Sequence, residues 1–417
     1  MRRFSRLPHV ILIGLLSVAV LPGTGGAEPV VEVVTVGPDH AIETRFGHTL
    51  LRVIDTDTGM DDVYDFGVAD FRRPGFAAEA VMGRARFWLR RSSAQIRFES
   101  FALSDRQIDT QRLNLTDGQI VLLIERLEWN LLPENVEYVY DHVVDNCSTR
   151  LRDLLNDVTG DAIQYAAYGL GIDRTYREDI LVAGSGRILA LIALDLFAGP
   201  HGEDRVGGWQ LGFLPDQLRD ILAVAENPAV GDGASLVTFE AVLHQRSAAP
   251  AVGGSVWIGR GAVVAVGATL GLFFGFTGFT AWRTRRHLSW LSRVAGLVLL
   301  ATAALFGLLG LALLPIALFS TGTIWTDNQN AWLFFPLDLL LLGPAVRWMR
   351  TGRATLAAWS RMYIDLRFLM IVSGWTGVVA SQDNTAFALA VSLTLAGLRM
   401  QPLKNGKALP GEASPQP

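Results

Sequence analysis

Between about residues 256 and 400 the chain carries five long apolar runs, approximately Gly261–Trp282, Val294–Phe319, Trp332–Val346, Tyr363–Ala380 and Thr385–Leu398. A bilayer's hydrocarbon core, about 30 Å thick, is crossed by about 20 apolar residues in a helix. The first two runs meet that length comfortably, while the third and fifth are short. Inside hydrocarbon every backbone N–H and C=O must be satisfied within the segment, so runs of this kind fold as helices. The expectation is an all-α membrane bundle of about five transmembrane helices over 255–400, followed by a tail at 401–417. With 50% hydrophobic residues overall, the acids concentrate in the first 250 positions. The first half therefore reads as a separate globular domain.

Loop charges orient the runs. Arg283, Arg285, Arg286 and Arg293 flank the first connection, and Arg347, Arg350, Arg353 and Arg361 crowd the third. Arg399, Lys404 and Lys407 follow the last run, whereas Thr321–Ala331 and Ser381–Asn384 hold neither Lys nor Arg. Because basic loops stay in the cytoplasm, the C-terminal tail is expected inside and the first half outside. The other terminus agrees. Arg2, Arg3 and Arg6 precede an apolar core, Val10–Leu21, and the small residues Gly25-Gly26-Ala27. That pattern is a secretory signal over 1–27, or an uncleaved anchor, so a multi-pass membrane protein with residues 28–252 outside the cytoplasm is expected. Gly267, Gly271 and Gly275 recur every fourth residue, a face that lets another helix approach closely. Asp338 reads as a single buried polar contact or part of a polar cavity, and Asp365 with Arg367 as an interfacial cluster.

The exported half reads as α+β. Pro29–Val36 is strand-like. His48–Ile54 alternates into the Gly59 loop, and Val63–Phe66 answers it as a β-hairpin. Thr116 caps a helix running to Asn130 with Leu122, Leu123 and Leu127 inward. Val136–Val144 reads as a buried strand, and Gly207–Leu214 and Ser235–His244 as irregular or strand elements. The stretch 248–254 is a linker. A net charge of −4 without a basic patch argues against nucleic acid as a partner.

Cys147 is the only cysteine of the 417 residues, so no internal disulfide exists. Asp145-Asn146 breaks the preceding strand, and Cys147 opens an amphipathic helix. Helix dipole and unpaired N–H groups there favour a thiolate; the plain alternative is a small buried hydrophobe. A thiol nucleophile needs a base and a group to orient it. Of the seven histidines, His9 lies in the signal and His287 in a cytoplasmic loop. His142 is set toward the opposite strand face from Cys147, and His40, His201 and His244 lack site character. His48 remains, as the base or as a structural strand residue. Asp65, on the answering strand, is the acid placed to orient it, while Asp55, Asp57 and Asp61 read as loop residues supporting the turn. The Cys147 and Ser148 N–H groups are candidate oxyanion donors, with the Asn146 side chain either helping there or positioning the site. No HExxH, CxxC, EF-hand or GxxxxGK pattern occurs, so neither a metal nor a cofactor is expected.

Gly47-His48-Thr49-Leu50-Leu51-Arg52, Val63-Tyr64-Asp65-Phe66-Gly67, Gln111–Thr116, Pro133-Glu134-Asn135 and Asp145-Asn146-Cys147-Ser148-Thr149-Arg150 come in one order. Gly212-Phe213-Leu214-Pro215 and the loop around Asn328, Asn330 and Pro336 follow. This resembles the Lnb-type bacterial membrane proteins over about residues 40 to 400. The resemblance implies lipoprotein N-acyltransferase activity and a periplasmic domain similar to circularly permuted, papain-like NlpC/P60 and lecithin–retinol acyltransferase thiol enzymes. It implies Cys147 as nucleophile and His48 as base, with Asp65 where the lecithin–retinol type has a second histidine. Where some relatives carry a loop histidine, this chain has Trp325-Thr326-Asp327. The implied partners are a membrane phospholipid as acyl donor, a diacylglyceryl lipoprotein as acceptor, and the lipid bilayer. A thiol hydrolase of lipid esters or cell-wall amides, and a non-catalytic assembly or binding module, are the alternatives.

Overall fold

The computed structural model describes residues 28–39, 41, 44–170, 172–183, 187–248, 256–284, 286–375 and 381–404. The expected signal, His40, most of the 248–254 linker, Arg285 and all but the start of the 401–417 tail lie outside the described residues.

Strands β1 (Val30–Val36), β2 (His48–Asp55), β3 (Met60–Val68), β4 (Arg86–Ser93), β5 (Ile108–Leu113), β6 (Glu137–Val139) and β7 (Val237–His244) form one seven-stranded sheet. Its order is β6-β4-β3-β2-β1-β5-β7, and every neighbouring pair is antiparallel. Helices α1 (Ala94–Leu103), α2 (Asp117–Asn130), α3 (Cys147–Val158), α4 (Ile188–Phe197) and α5 (Pro215–Val224) belong to the same half. Strand alternation sorts the core into two layers. Val31, Val33, Leu51, Val53 and Tyr64 pack with Leu123, Leu127, Leu151, Leu155 and Leu218 from α2, α3 and α5. On the opposite face Val34, Val36, Leu50 and Val63 pack with Ala94 and Phe101 of α1. Covered on both sides, β1 is a valine-rich run interrupted only by the buried Glu32 and Thr35.

The expected hairpin and α2 are present. Thr116 caps α2 with a reciprocal Gln119 bond, and Asp55 Oδ1 accepts the Asp57 N–H at 2.9 Å in the hairpin turn. Three local expectations change. Asp61 is not a loop residue but lies in β3, its carboxylate 2.7 Å from Arg52 Nε. The run Val136–Val144 pairs only over Glu137–Val139, because Asp141 Oδ1 accepts the Val143 and Val144 N–H groups and curls the chain out of the ladder. Gly207–Leu214 contains a helical turn at Gly208–Leu211.

The C-terminal part contains α6 (Val256–Thr284), α7 (Ser289–Phe319), α8 (Leu342–Thr351), α9 (Ala358–Trp375) and α10 (Thr385–Arg399). Among the described residues, the segments Val256–Thr284, Ser289–Phe319 and Asn330–Thr351 are long and apolar enough to cross a membrane. The third is broken, with a short turn at Asn330–Leu333 and a 3₁₀ turn at Pro336–Leu341 before α8. Pro336, which lacks an N–H, sits at the break. The end of the fourth expected run, 376–380, lies outside the described residues. The glycine comb of α6 meets a helix of the same chain: a Cβ on Gly267 or Gly271 would come within 2.3 Å of Ala390 or Leu393 backbone in α10. The expected Asp365–Arg367 cluster is not formed. Arg367 turns inward and binds Asp338, with Nε–Oδ1 at 3.0 Å, and Asp365 pairs with Arg399. Tyr363 donates to the same Asp338 oxygen at 2.6 Å, and Arg367 also donates to the carbonyls of Trp332 and Leu333. These are the carbonyls left open where the third segment breaks, so the pair closes a gap that water fills elsewhere.

Candidate active site

His48 opens β2 immediately after Gly47, whose φ of +81° favours glycine. A Cβ there would also lie 2.9 Å from the Val36 carbonyl. Alternation puts His48 on the α1 face with Leu50, and Thr49 on the α3 face. Asp65 of β3 shares the His48 face. The ladder pairs Leu51 with Tyr64, and continuing that register sets Gly67 opposite His48. The imidazole accordingly lies over Gly67, where an added Cβ would be 2.3 Å from His48 Cε1. From this position His48 Nε2 lies 2.8 Å from Asp65 Oδ1.

Asp65 is fully buried and fully used. Its Oδ1 also accepts the Gly67 N–H at 2.9 Å, and its Oδ2 accepts from Arg97 Nη2 of α1 at 2.6 Å. The Arg97 guanidinium rests on Phe101, 4.4 Å from the ring centre. Arg97 carries no marker in the sequence beyond its i, i+4 spacing from Phe101, and nothing local to Gly67 shows that an imidazole lies over it.

Cys147 is the first residue of α3. The buried Asn146 is its N-cap: Oδ1 accepts the Ser148 N–H at 2.8 Å and the Thr149 N–H at 2.9 Å. Asn146 Nδ2 donates to the His142 carbonyl at 2.7 Å and the Phe213 carbonyl at 3.0 Å. These bonds bear on which groups are left for an oxyanion. The Ser148 N–H and the Asn146 amide are both spent on the cap, so Asn146 positions the helix start. The Cys147 N–H remains, which at N1 has no intrahelical acceptor. Ser148 Oγ lies 2.8 Å from Thr49 Oγ1, both buried, tying α3 to β2. Cys147 as a residue is partly exposed, and its thiol lies close enough to His48 and the Thr49 N–H for both to act on its titration.

Electrostatics favour a charged pair. Burial alone would lower the His48 imidazole, but Cys147 and Asp65 act against it through charge and hydrogen bonds and raise it to about 9. Burial would likewise raise Cys147, and the His48 charge, its hydrogen bond and the Thr49 N–H overcome that and bring the thiol below its ordinary value. Asp65 is held well below the usual carboxylate range despite its burial, by His48, Arg97 and the Gly67 N–H. A thiolate–imidazolium pair at a helix N-terminus, oriented by a buried carboxylate, is chemically a nucleophile with its proton donor in place.

His142 does not join this pair. Packed edge-on against Phe46 at 4.1 Å, it is pushed down to about 4 by burial, against a small opposing effect of Asp141. His201 pairs with Asp204 and His244 faces Asp105. Among the described residues no group of three or more His, Cys, Asp and Glu side chains could hold a metal ion.

The loop between α7 and the third segment docks beside the site. The Thr323 N–H donates to Asp141 Oδ2 at 2.7 Å, in the turn that leads to Cys147. Ile324 is buried with Val143, Tyr176 and Phe213. Asn328 Nδ2 and Asn330 Nδ2 donate to the Leu196 carbonyl, and Gln382 Nε2 to the Ala198 carbonyl. Both connections devoid of Lys and Arg thus touch the sheet half, so they lie on its side of the helical part, as the loop charges require. Residues 26–178 match the family model described as the Lnb N-terminal periplasmic domain. This match supports the Lnb family for the chain and, with the apolar helices, a membrane protein bearing a periplasmic domain. No curated protein and no solved structure matches the chain.

Proposed function

We propose that the chain is a thiol-dependent lipoprotein N-acyltransferase of the inner membrane, its periplasmic domain a permuted papain-like unit of the NlpC/P60 kind. The observation that carries this reading is His48 bonded to buried Asp65 at 2.8 Å and acting electrostatically on Cys147 at a helix start, on a domain docked to apolar helices.

In the first half-reaction the Cys147 thiolate attacks an ester carbonyl of a membrane phospholipid. The oxyanion forms beside the Cys147 N–H. The ester C–O bond breaks, and the His48 imidazolium protonates the departing alkoxide, leaving a lysophospholipid and a thioester. In the second, the α-amine of a diacylglyceryl lipoprotein's N-terminal cysteine attacks the thioester. Neutral His48 takes the amine proton, the C–S bond breaks, and an amide and the starting ion pair result. Asp65 keeps the imidazole in place through both steps. Donor and acceptor are both anchored in a bilayer, which supports holding the site against membrane helices.

The test is N-acylation of a diacylated lipopeptide by the full-length protein in phospholipid vesicles. Cys147→Ala and His48→Ala should each abolish product, and full activity in either overturns the reading. Labelled acyl chain recovered only as free fatty acid would assign the same thiol to a hydrolase.

A further inference from the structure

Helix α4, ILALIALDLF, has no polar face: Asp195 is its only polar residue. A helix apolar around its whole circumference is either buried in protein or set against hydrocarbon. One side of α4 is buried, and there Leu194 packs on its own domain, against the cluster around Tyr176 and Phe213. Leu196 belongs to the apolar cluster of the helical C-terminal part with Phe274, Leu299 and Leu395, and Ile192 and Phe197 pack on that cluster. The other side is open, with Leu189 78% and Ile188 43% exposed and Ala193 beside them.

The polar groups of α4 are treated as they are inside a membrane. Asp195 is buried between two arginines, Arg177 Nη1 at 2.9 Å and Arg260 Nε at 2.9 Å. Its C-terminal carbonyls, which water would ordinarily satisfy, are taken by the buried amides of Asn328, Asn330 and Gln382. In the first turn of α6, whose Gly259 lies against Leu191 and Ile192 of α4, Trp257 is 74% exposed, a residue type that favours the membrane–water boundary. Ten residues at about 1.5 Å each give about 15 Å, half of a hydrocarbon core.

We infer that α4 is a re-entrant element. The periplasmic domain dips it into the near leaflet, with Ile188, Leu189 and Ala193 against phospholipid chains. The inference rests on the helical part spanning a bilayer and not on acyl transfer. From the end of α4, the Gly199 N–H donates to the Ile324 carbonyl at 2.7 Å, and the adjoining Thr323 holds the turn before Cys147. Immersion of α4 thereby sets the height of the thiol above the lipid.

The test uses full-length protein with Cys147→Ser and one reporter cysteine, Leu189→Cys, Ala193→Cys or, on the exposed α1 surface, Glu99→Cys. Each is labelled with bimane and reconstituted in phosphatidylcholine–phosphatidylglycerol vesicles. Doxyl-labelled phospholipid should quench the 189 and 193 reporters several-fold more than the 99 reporter, and aqueous iodide should show the reverse order. Iodide quenching at 189 equal to that at 99, without lipid quenching, overturns the inference. Protection at 189 that disappears when protein is diluted into excess lipid, with no doxyl quenching, assigns the face to a second copy and overturns it as well.

Discussion

Gly67→Ala tests the geometry around His48 without touching a group that carries charge. The backbone of Gly67 is not in the left-handed region, so alanine introduces no conformational strain of its own. The new methyl would nonetheless sit 2.3 Å from His48 Cε1 and 3.0 Å from Nδ1. Carbon atoms in contact stand about 3.5 Å or more apart, so the ring must retreat by more than about 1 Å. Displacement on that scale costs about 100-fold in a positioned reaction, or about 2.7 kcal/mol of barrier. The assay is single-turnover acylation of the full-length protein in vesicles, with alkylation of Cys147 by iodoacetamide across pH in parallel. The expected result is a roughly 100-fold slower acylation and a thiol whose titration moves back toward that of a free cysteine. Wild-type acylation together with a wild-type alkylation profile would refute the placement of His48 over Gly67.

The His48 imidazole, raised to about 9, sets the basic limb of the acylation profile, and Asp65→Asn should move that limb to lower pH; an unmoved limb contradicts the pairing. Stability follows the same sign. Because the folded value lies above the ordinary 6.5, the His48 contribution is complete below 6.5 and fades as pH rises through about 9, which thermal melts at graded pH would register for the wild type and not for His48→Ala. Asn146→Ala removes the α3 cap and leaves the Ser148 and Thr149 N–H groups without their acceptor; a loss of about 1–2 kcal/mol in urea unfolding is expected. Asp338→Leu strands Arg367 inside the helical part and should destabilise by about 3–5 kcal/mol, whereas Asp365→Ala, at a half-exposed pair with Arg399, should cost under about 1 kcal/mol. Equal melting shifts for the two variants would contradict that ranking.

What could be read beforehand was local. The His48 hairpin, the capped α2 and the helix start at Cys147 each depend on residues a few positions apart, and period-two alternation alone puts His48 and Asp65 on one face. Loop charges give an expected orientation because lysine and arginine respond to the membrane rather than to a particular neighbour. What escaped depended on distant partners. Arg97 has no mark until α1 covers the sheet, and the inward turn of Arg367 is decided by the broken segment around Pro336. The strand expected at Val136–Val144 failed for a local reason with a distant part, since Asp141 satisfies two backbone donors with one oxygen and Thr323 holds the other. Asn146 reads equally as an oxyanion helper or a positioning residue, because a capping asparagine and an oxyanion donor look alike until the amide's partners are known.

The most direct measurement is capture of the acyl group itself. Full-length protein is incubated in phospholipid vesicles without an acceptor, quenched in acid and digested, and the peptide containing Cys147 is weighed by mass spectrometry. The predicted result is a fatty-acyl adduct on Cys147 that is released by hydroxylamine, disappears on addition of a diacylated lipopeptide, and is absent from His48→Ala. N-acylated product forming while Cys147 stays unmodified, or an adduct on another residue, would contradict the account.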